Sequence, residues 1–407
     1  MRILQLTPQF PWPTHQGTTL RNFNLLKALA RRHEMHLFSM LAPGDDPAAG
    51  PVSGLVASMA VAPQPARTMG DRLRDLLLSP LPDMARRLWS PAAFDELARF
   101  VQTVQPDILL IEAIEMAPYF FALREAGIRP GRAIYDAHNA ETLLQQRAAR
   151  ADARRPKRWP AALYSAIQTA RLRRYEARLC RSVAGVSAVS EPDARFLHAL
   201  APQTPLQVVT NGVDMALYQP DASFPPVFTG PGPHLVFTGK MDFRPNVDAA
   251  LWFAEEVMPL LRQRGVHAHF WVVGRNPHAR LKPLRSREDV TITGEVPDVR
   301  PYIVQADVYV VPLLAGGGTR FKILESLALA KPVVSTTLGA DGIPVVDGEH
   351  LALADAPDAF ARRVMELLSH REEARAMGWR GRAFVAERFD WSVIAPKLEA
   401  LFKLNAF

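Results

Sequence analysis

At 407 residues the chain is long enough for two domains of ordinary size, each with its own core. Its composition is globular, 48% hydrophobic and 22% charged, and contains no low-complexity tract. The single cysteine, Cys180, excludes an internal disulfide and fits a reducing compartment, while the formal charge of +7 is spread unevenly.

Met1-Arg2-Ile3-Leu4-Gln5-Leu6 starts as a secretory signal does, but Pro8, Pro11 and Pro13 break it before an apolar core develops. Ile3–Leu6 therefore reads as a first strand. A helix follows over Thr19–Arg31, with Phe23, Leu26, Leu29 and Ala30 on one face. His36–Met40 is the next strand, and a long Pro/Ala-rich stretch comes after it. Asp107–Ile111, Ala133–Asp136 and Gly185–Val189 read as further buried strands. No run reaches the length of a membrane span, since Ile108 to Leu123 is interrupted by Glu112, Glu115 and Pro118. The expected location is cytoplasmic, with any membrane contact at the surface.

Between Arg147 and Arg181 lie eleven Arg or Lys residues against two acids, Asp152 and Glu176. Trp159, Tyr164, Ile167, Leu172 and Leu179 are interleaved with them. This suits peripheral contact with an anionic membrane, at the inner face of the plasma membrane, or a solvated basic helix pair inside a folded domain. Nucleic acid is not expected as a partner, because no recognised motif accompanies the charge.

The second half is a cleaner α/β repeat. Strands are expected at His234–Thr238, Ala268–Val273, Val290–Thr293, Asp307–Val311 and Pro332–Ser335. The stretch from Asp221 to Pro233 is rich in Pro and Gly and reads as the linker. The expected domains are 1–215, completed by about 388–407, a hinge at 216–233, and 234–387. Each is a doubly wound parallel sheet, and two such domains leave a cleft at the carboxyl ends of their strands. Neither first strand is followed by G-x-G-x-x-G, so a nicotinamide or flavin dinucleotide is weakly supported.

Gly316-Gly317-Gly318-Thr319-Arg320-Phe321-Lys322-Ile323-Leu324-Glu325 carries the most chemistry. It follows a buried-looking strand and is expected to open a helix running to about Ala330. Three glycines let backbone N–H groups point into one concavity, and Thr319 reads as the N-cap. Arg320 and Lys322 fall in the first helical turn, where the macrodipole disfavours cations by roughly 0.3–1 kcal/mol. They are either solvated surface charges or the completion of an anion site that a diphosphate fills. Glycines, cap and misplaced cations together favour the anion site.

Read in order, these segments resemble family 4 of the nucleotide-sugar-dependent glycosyltransferases, which have the two-Rossmann GT-B fold. Gly17 with Arg21 is similar to the family's N-terminal glycine loop and following helix. Asp136-Ala137-His138-Asn139-Ala140-Glu141 is similar to its interdomain histidine segment. Val186-Ser187-Ala188-Val189-Ser190 and Val209-Thr210-Asn211-Gly212-Val213-Asp214 match the approach to the hinge. Phe237-Thr238-Gly239-Lys240-Met241 begins the donor domain, and Gly274 and Gly294 end its later strands. Phe389-Asp390-Trp391-Ser392 and the helix after it resemble the element that returns to the N-terminal domain.

The resemblance implies transfer of a sugar from a nucleoside-diphosphate sugar to a glycan or lipid-linked acceptor, with retention at the anomeric carbon. It implies no cofactor and no bound metal, and the sequence has no Asp-x-Asp triplet to hold one. Arg320 and Lys322 are then implied at the diphosphate, with backbone amides from Gly316, Gly317 and Gly318. Glu325 is implied at the ribose hydroxyls. Lys240 and Arg244 are further phosphate candidates, and Gly294, Glu295 and Val296 pass beside the base. His138 is implied near the transferred sugar, where an imidazole can bond hydroxyls and manage a proton. Its alternative is a structural residue at a strand end. Glu112 and Glu115 are candidates for acceptor hydroxyls.

Two departures stand out. Gly317 occupies the position of the family's first glutamate, eight residues before Glu325. The usual Arg and Lys, five residues apart in the first donor loop, are absent; Lys240 is followed by Arg244, Pro245 and Asn246. Similar variants occur among members associated with exopolysaccharide assembly. Two other functions remain open: a nucleotide-sugar epimerase on the same fold, and a non-catalytic nucleotide-sugar-binding protein motivated by Gly317. Product analysis separates the first, and donor binding without turnover marks the second.

Overall fold

The computed structural model describes residues 1–14, 16–153, 159–221, 223–315 and 320–403, without the side chains at 147, 148, 150–153 and 159–162. The chain forms two compact units, Met1–Asn211 with Trp391–Phe407, and Gly212–Asp390. All counts below refer to the described residues.

The first unit is built on seven parallel strands: β1 (Arg2–Thr7), β2 (Glu34–Leu41), β3 (Ser58–Pro63), β4 (Ile108–Glu112), β5 (Arg132–Ala137), β6 (Gly185–Ala188) and β7 (Leu206–Val208). Their order is β3-β2-β1-β4-β5-β6-β7. β4 is buried on both faces and apolar from Ile108 to Ile111, and β1 is buried from Ile3 to Thr7 with Gln5 and Thr7 as its polar members, as the covered strands of a parallel sheet must be. The order reverses between β1 and β4, so the carboxyl ends of those strands form the switch point where ligands of such sheets bind.

The second unit repeats the plan with β8 (His234–Thr238), β9 (His269–Val273), β10 (Val290–Gly294), β11 (Val308–Val311), β12 (Val333–Ser335) and β13 (Ala352–Leu353). Its order is β10-β9-β8-β11-β12-β13, again parallel, with its switch point between β8 and β11. The doubly wound α/β class read from the sequence is correct for both units.

The C-terminal helix Trp391–Phe402 belongs to the first unit. Its Trp391, Ile394, Leu398, Leu401 and Phe402 share a core with Ile3, Leu25, Leu26 and Leu37. Gly185 packs closely beneath it: a Cβ there would lie 3.2 Å from Leu401 Cδ2, which would have to give by a few tenths of an ångström. Among the described residues no helix is long and apolar enough to cross a membrane.

Several expectations differ from what is observed. The Pro/Ala-rich stretch after β2 contains β3 and the helices Met69–Leu78, Asp83–Arg86 and Pro91–Val104. β7 and β13 are three and two residues long, too short to show a period. The stretch 216–233 lies within the second unit. Gln305 bonds the backbone of Val227 and Pro225, and Phe228 packs on His234, Trp271 and Tyr302. Its prolines shape a packed strap, and the units divide at 211/212 and 390/391.

Candidate functional site

In the first unit a buried polar cluster sits at the switch point. Arg21, on the helix Gly17–Leu29 that follows β1, grips Asp136 near the end of β5, with Nε to Oδ2 and Nη2 to Oδ1 both at 2.7 Å. Its Nη1 also donates to Asn211 Oδ1 at 3.0 Å and to Thr210 O at 3.3 Å. Ser187 Oγ, from β6, donates to the same carboxylate. Glu112, the last residue of β4, accepts from Gln5 Nε2 at 2.7 Å, and its Oε2 lies 2.9 Å from His138 Nε2. His138 follows β5 directly, so neighbouring strand ends bring imidazole and carboxyl together.

The electrostatics separate the two acids. Burial would raise Asp136, but the Arg21 guanidinium holds it well below the usual carboxylate range. Burial, and then the charge of Asp136, push Glu112 up to about 7. Burial would lower His138, but its bond to Glu112 and the charges of Glu112 and Asp136 raise it. Burial and the Asp136 charge thus favour a protonated Glu112, while an ionised Glu112 favours imidazolium at His138, so the two groups titrate as a pair. Glu112, Asp136 and His138 converge as three metal-capable groups within 4.8 Å of one another. Arg21 engages both oxygens of Asp136, however, and its charge repels a cation, so the set fits a metal poorly.

Glu115, expected beside Glu112, belongs to a different neighbourhood. It pairs with Arg87 and lies near Glu141, whose carboxyl is pushed up to about 7 by burial and then by the Glu115 charge. Gly17 is the exposed first residue of its helix. Asp136, Asn211 and Ser187 carry the cluster without having been singled out as site residues. All three lie in segments that the sequence marks, and Asp-x-His was the available signal.

In the second unit the helix after β11 spans Phe321–Ala328. Gly316, Gly317, Gly318 and Thr319 lie outside the described residues. The N-cap of this helix is Arg320, not Thr319, and it makes no side-chain cap bond. Arg320 and Lys322 are not solvated surface charges. Arg320 is 6% exposed, and burial lowers its pKa against the opposing charge of Asp341. Lys322 donates to Asn246 Oδ1 at 2.8 Å and lies 4.3 Å from the centre of the Phe237 ring. Burial pulls its ammonium down to about 7, opposed by the charge of Glu325.

Glu325 Oε1 accepts from Tyr218 Oη at 2.8 Å. Burial raises this carboxyl, against the Tyr218 bond and the Lys322 charge. Gly239 follows β8 with φ +158, and a Cβ there would fall 2.7 Å from Asn246 Nδ2 and 3.2 Å from Lys322 Nζ. Gly274 follows β9 and packs so closely that its Cβ would be 1.7 Å from Gly239 O, while its N–H donates to Gly294 O at 3.1 Å. Glycines therefore join the ends of β8, β9 and β10 backbone to backbone. Glu295 is exposed and Val296 half-buried just beyond. The side chains of Lys240 and Arg244 are exposed and pair with Asp242 and Asp248.

Residues 16–217 match the model of Glycosyltransferase Family 4, and residues 232–370 match that of Glycosyl transferases group 1. The chain belongs to the family 4, group 1 glycosyltransferases. Over 235 residues this family member is 28% identical to the GDP-mannose-dependent alpha-(1-6)-phosphatidylinositol monomannoside mannosyltransferase of Mycobacterium tuberculosis. That match covers 50% of this chain and only 57% of the relative. Along 99% of its length the chain superposes on sucrose-phosphate synthase from Thermosynechococcus elongatus, with TM-score 0.69, 16% identity and 98% of that chain covered. It also superposes on Anabaena HepE in complex with UDP and glucose, with TM-score 0.63, 16% identity, and 99% and 100% covered. At such identities these structures establish the shared GT-B fold.

Proposed function

We propose that the protein transfers a sugar from a nucleoside-diphosphate sugar to a glycan or lipid-linked acceptor, retaining the anomeric configuration, in exopolysaccharide or cell-envelope glycan assembly. The observation that carries the reading is the pair Arg320 and Lys322 held at the start of one helix, with Glu325 fixed by Tyr218 a turn later. A leaving diphosphate develops charge that must be neutralised, and preorganised cations and N–H groups do this without a metal. Each charge-assisted hydrogen bond contributes roughly 1.5–3 kcal/mol. Glu325 accepts from the ribose hydroxyls, which its fixed geometry favours. In the first unit the His138–Glu112 pair bonds sugar hydroxyls and moves a proton.

The acceptor side is proposed to work at the inner face of the membrane. Supporting this, the helix Met69–Leu78 leaves Met69, Leu73, Leu77 and Leu78 exposed, between 58% and 79%. Arg72 and Arg74 are exposed beside them, and Arg171 ties this helix to Trp159–Ser182 by donating to Leu76 O at 2.7 Å. Leu163 and Ile167 are exposed on that second helix. Apolar side chains mixed with arginines suit an anionic lipid surface. The part of the basic segment at 154–158 lies outside the described residues.

The test is a thermal-shift and turnover screen against UDP-, GDP- and ADP-sugars, with Arg320→Ala alongside. One donor that raises the melting temperature and yields a glycosylated acceptor, both lost in the variant, is the expected result. Conversion of the donor alone, without any acceptor, makes the protein an epimerase instead.

A further inference from the structure

Asn246 stands in the first turn of the helix Arg244–Trp252, and both ends of its amide are engaged. Its Oδ1 accepts from Lys322 Nζ at 2.8 Å, and its Nδ2 donates to Lys240 O at 2.9 Å. One side chain thus ties the loop after β8 to the helix after β11. Gly239 leaves the space for it, since a Cβ there would fall 2.7 Å from Asn246 Nδ2 and crowd Lys322 Nζ at 3.2 Å.

The chemistry of this contact is specific. A carboxylate at position 246 would orient the ammonium but cancel its charge and repel a diphosphate. An apolar side chain would leave the ammonium without this acceptor in a desolvated place. A neutral amide oxygen does neither. We propose that Asn246 is a positioning residue that aims Lys322 at the diphosphate of the donor, a neutral clamp that holds the ammonium and leaves its charge for the ligand.

The inference rests on the donor-site reading above. The groups acting on Lys322 are Glu325, which favours its charge, and Arg320, which opposes it, both from the same neighbourhood of the chain. Phe237 of β8 presents a ring, Tyr218 is bonded to Glu325, and Lys240 is exposed and paired with Asp242. Within this set, Asn246 is the uncharged residue that accepts a hydrogen bond from Nζ.

The test is calorimetric titration of the full chain with UDP and with GDP, from about pH 6 to about pH 9. Wild type is expected to bind one of them and to lose affinity as Lys322 deprotonates. Asn246→Ala should weaken binding about tenfold near pH 7.5 and move that loss to lower pH. Asn246→Asp, which keeps the shape, should move it to higher pH. In a Lys322→Met background the pH dependence should vanish and Asn246→Ala should cost nothing further. A merely structural Asn246 would leave the midpoint unmoved in both variants, or would lose affinity additively with Lys322→Met; either result overturns the proposal while wild type still binds. If wild type binds neither nucleotide, the donor-site reading itself falls, and this inference with it.

Discussion

Arg21 and Asp136 form a two-pronged ion pair, both bonds at 2.7 Å, with neither side chain more than 1% exposed. It joins the helix after β1 to the end of β5, and Asn211 adds a third anchor on the same guanidinium. Removing one partner leaves the other buried and uncompensated. Arg21→Met should therefore destabilise the first unit by about 3–5 kcal/mol, whereas Arg21→Met with Asp136→Leu should lose less. Thermal unfolding of the two variants checks this, and equal losses would mean that the pair is not what orders the cluster.

The Glu112–His138 pair gives stability a pH dependence of known sign. Both groups are raised above their ordinary values, so they add stability at low pH and lose it as pH rises through the folded values, about 7 for Glu112. Glu112→Gln should flatten the fall in melting temperature between about pH 5 and about pH 8. An unchanged slope would place the titration elsewhere.

Lys322, pulled down to about 7, should take up a proton when a nucleoside diphosphate binds, because the anion favours the ammonium. At about pH 8 the uptake should approach one proton per nucleotide, read from binding enthalpies in buffers of different ionisation enthalpy. Lys322→Met should abolish it. Persistent uptake in the variant would assign the proton to another group.

Glu325 and its partner Tyr218 predict ribose discrimination. Wild type should bind UDP or GDP about tenfold more tightly than the 2′-deoxy form, and Glu325→Ala should erase the difference. Tyr218→Phe should reduce it, since the carboxylate loses the bond that orients it. Equal loss of both ligands in Glu325→Ala would remove the carboxylate from the ribose.

The exposed face of Met69–Leu78 predicts vesicle binding. Leu73→Ser with Leu77→Ser should lower partition onto anionic vesicles by about tenfold or more, with unchanged turnover on a soluble acceptor. Binding to zwitterionic vesicles of equal strength would count against the role given to Arg72 and Arg74.

Much of this fold is legible in the sequence, for a definite reason. Strands such as Ile108–Glu112 and Val308–Val311 are buried on both faces, so they write themselves as unbroken apolar runs. The loop-to-helix signature around Arg320, Lys322 and Glu325 is local, since cations and an acid within a single turn or two can be read from spacing alone. Strand β3, by contrast, is half-buried and lies between prolines and alanines that carry no period. The strap at 216–233 looks like a linker because composition records backbone restriction but not what Phe228 packs against.

The sequence by itself determined the class of each domain, the family, and which cations and carboxyls are candidates for the site. Only the tertiary structure decided which of them act together. Arg21, Asp136 and Asn211 are separated by more than a hundred residues and by seventy-five, yet they share hydrogen bonds. The same holds for Asn246 with Lys322 and for Tyr218 with Glu325. Parallel sheets explain this. Every strand delivers its carboxyl end to one edge, and residues distant in the chain meet there at hydrogen-bond range. Spacing along a sequence cannot express that meeting, because it is set by strand order.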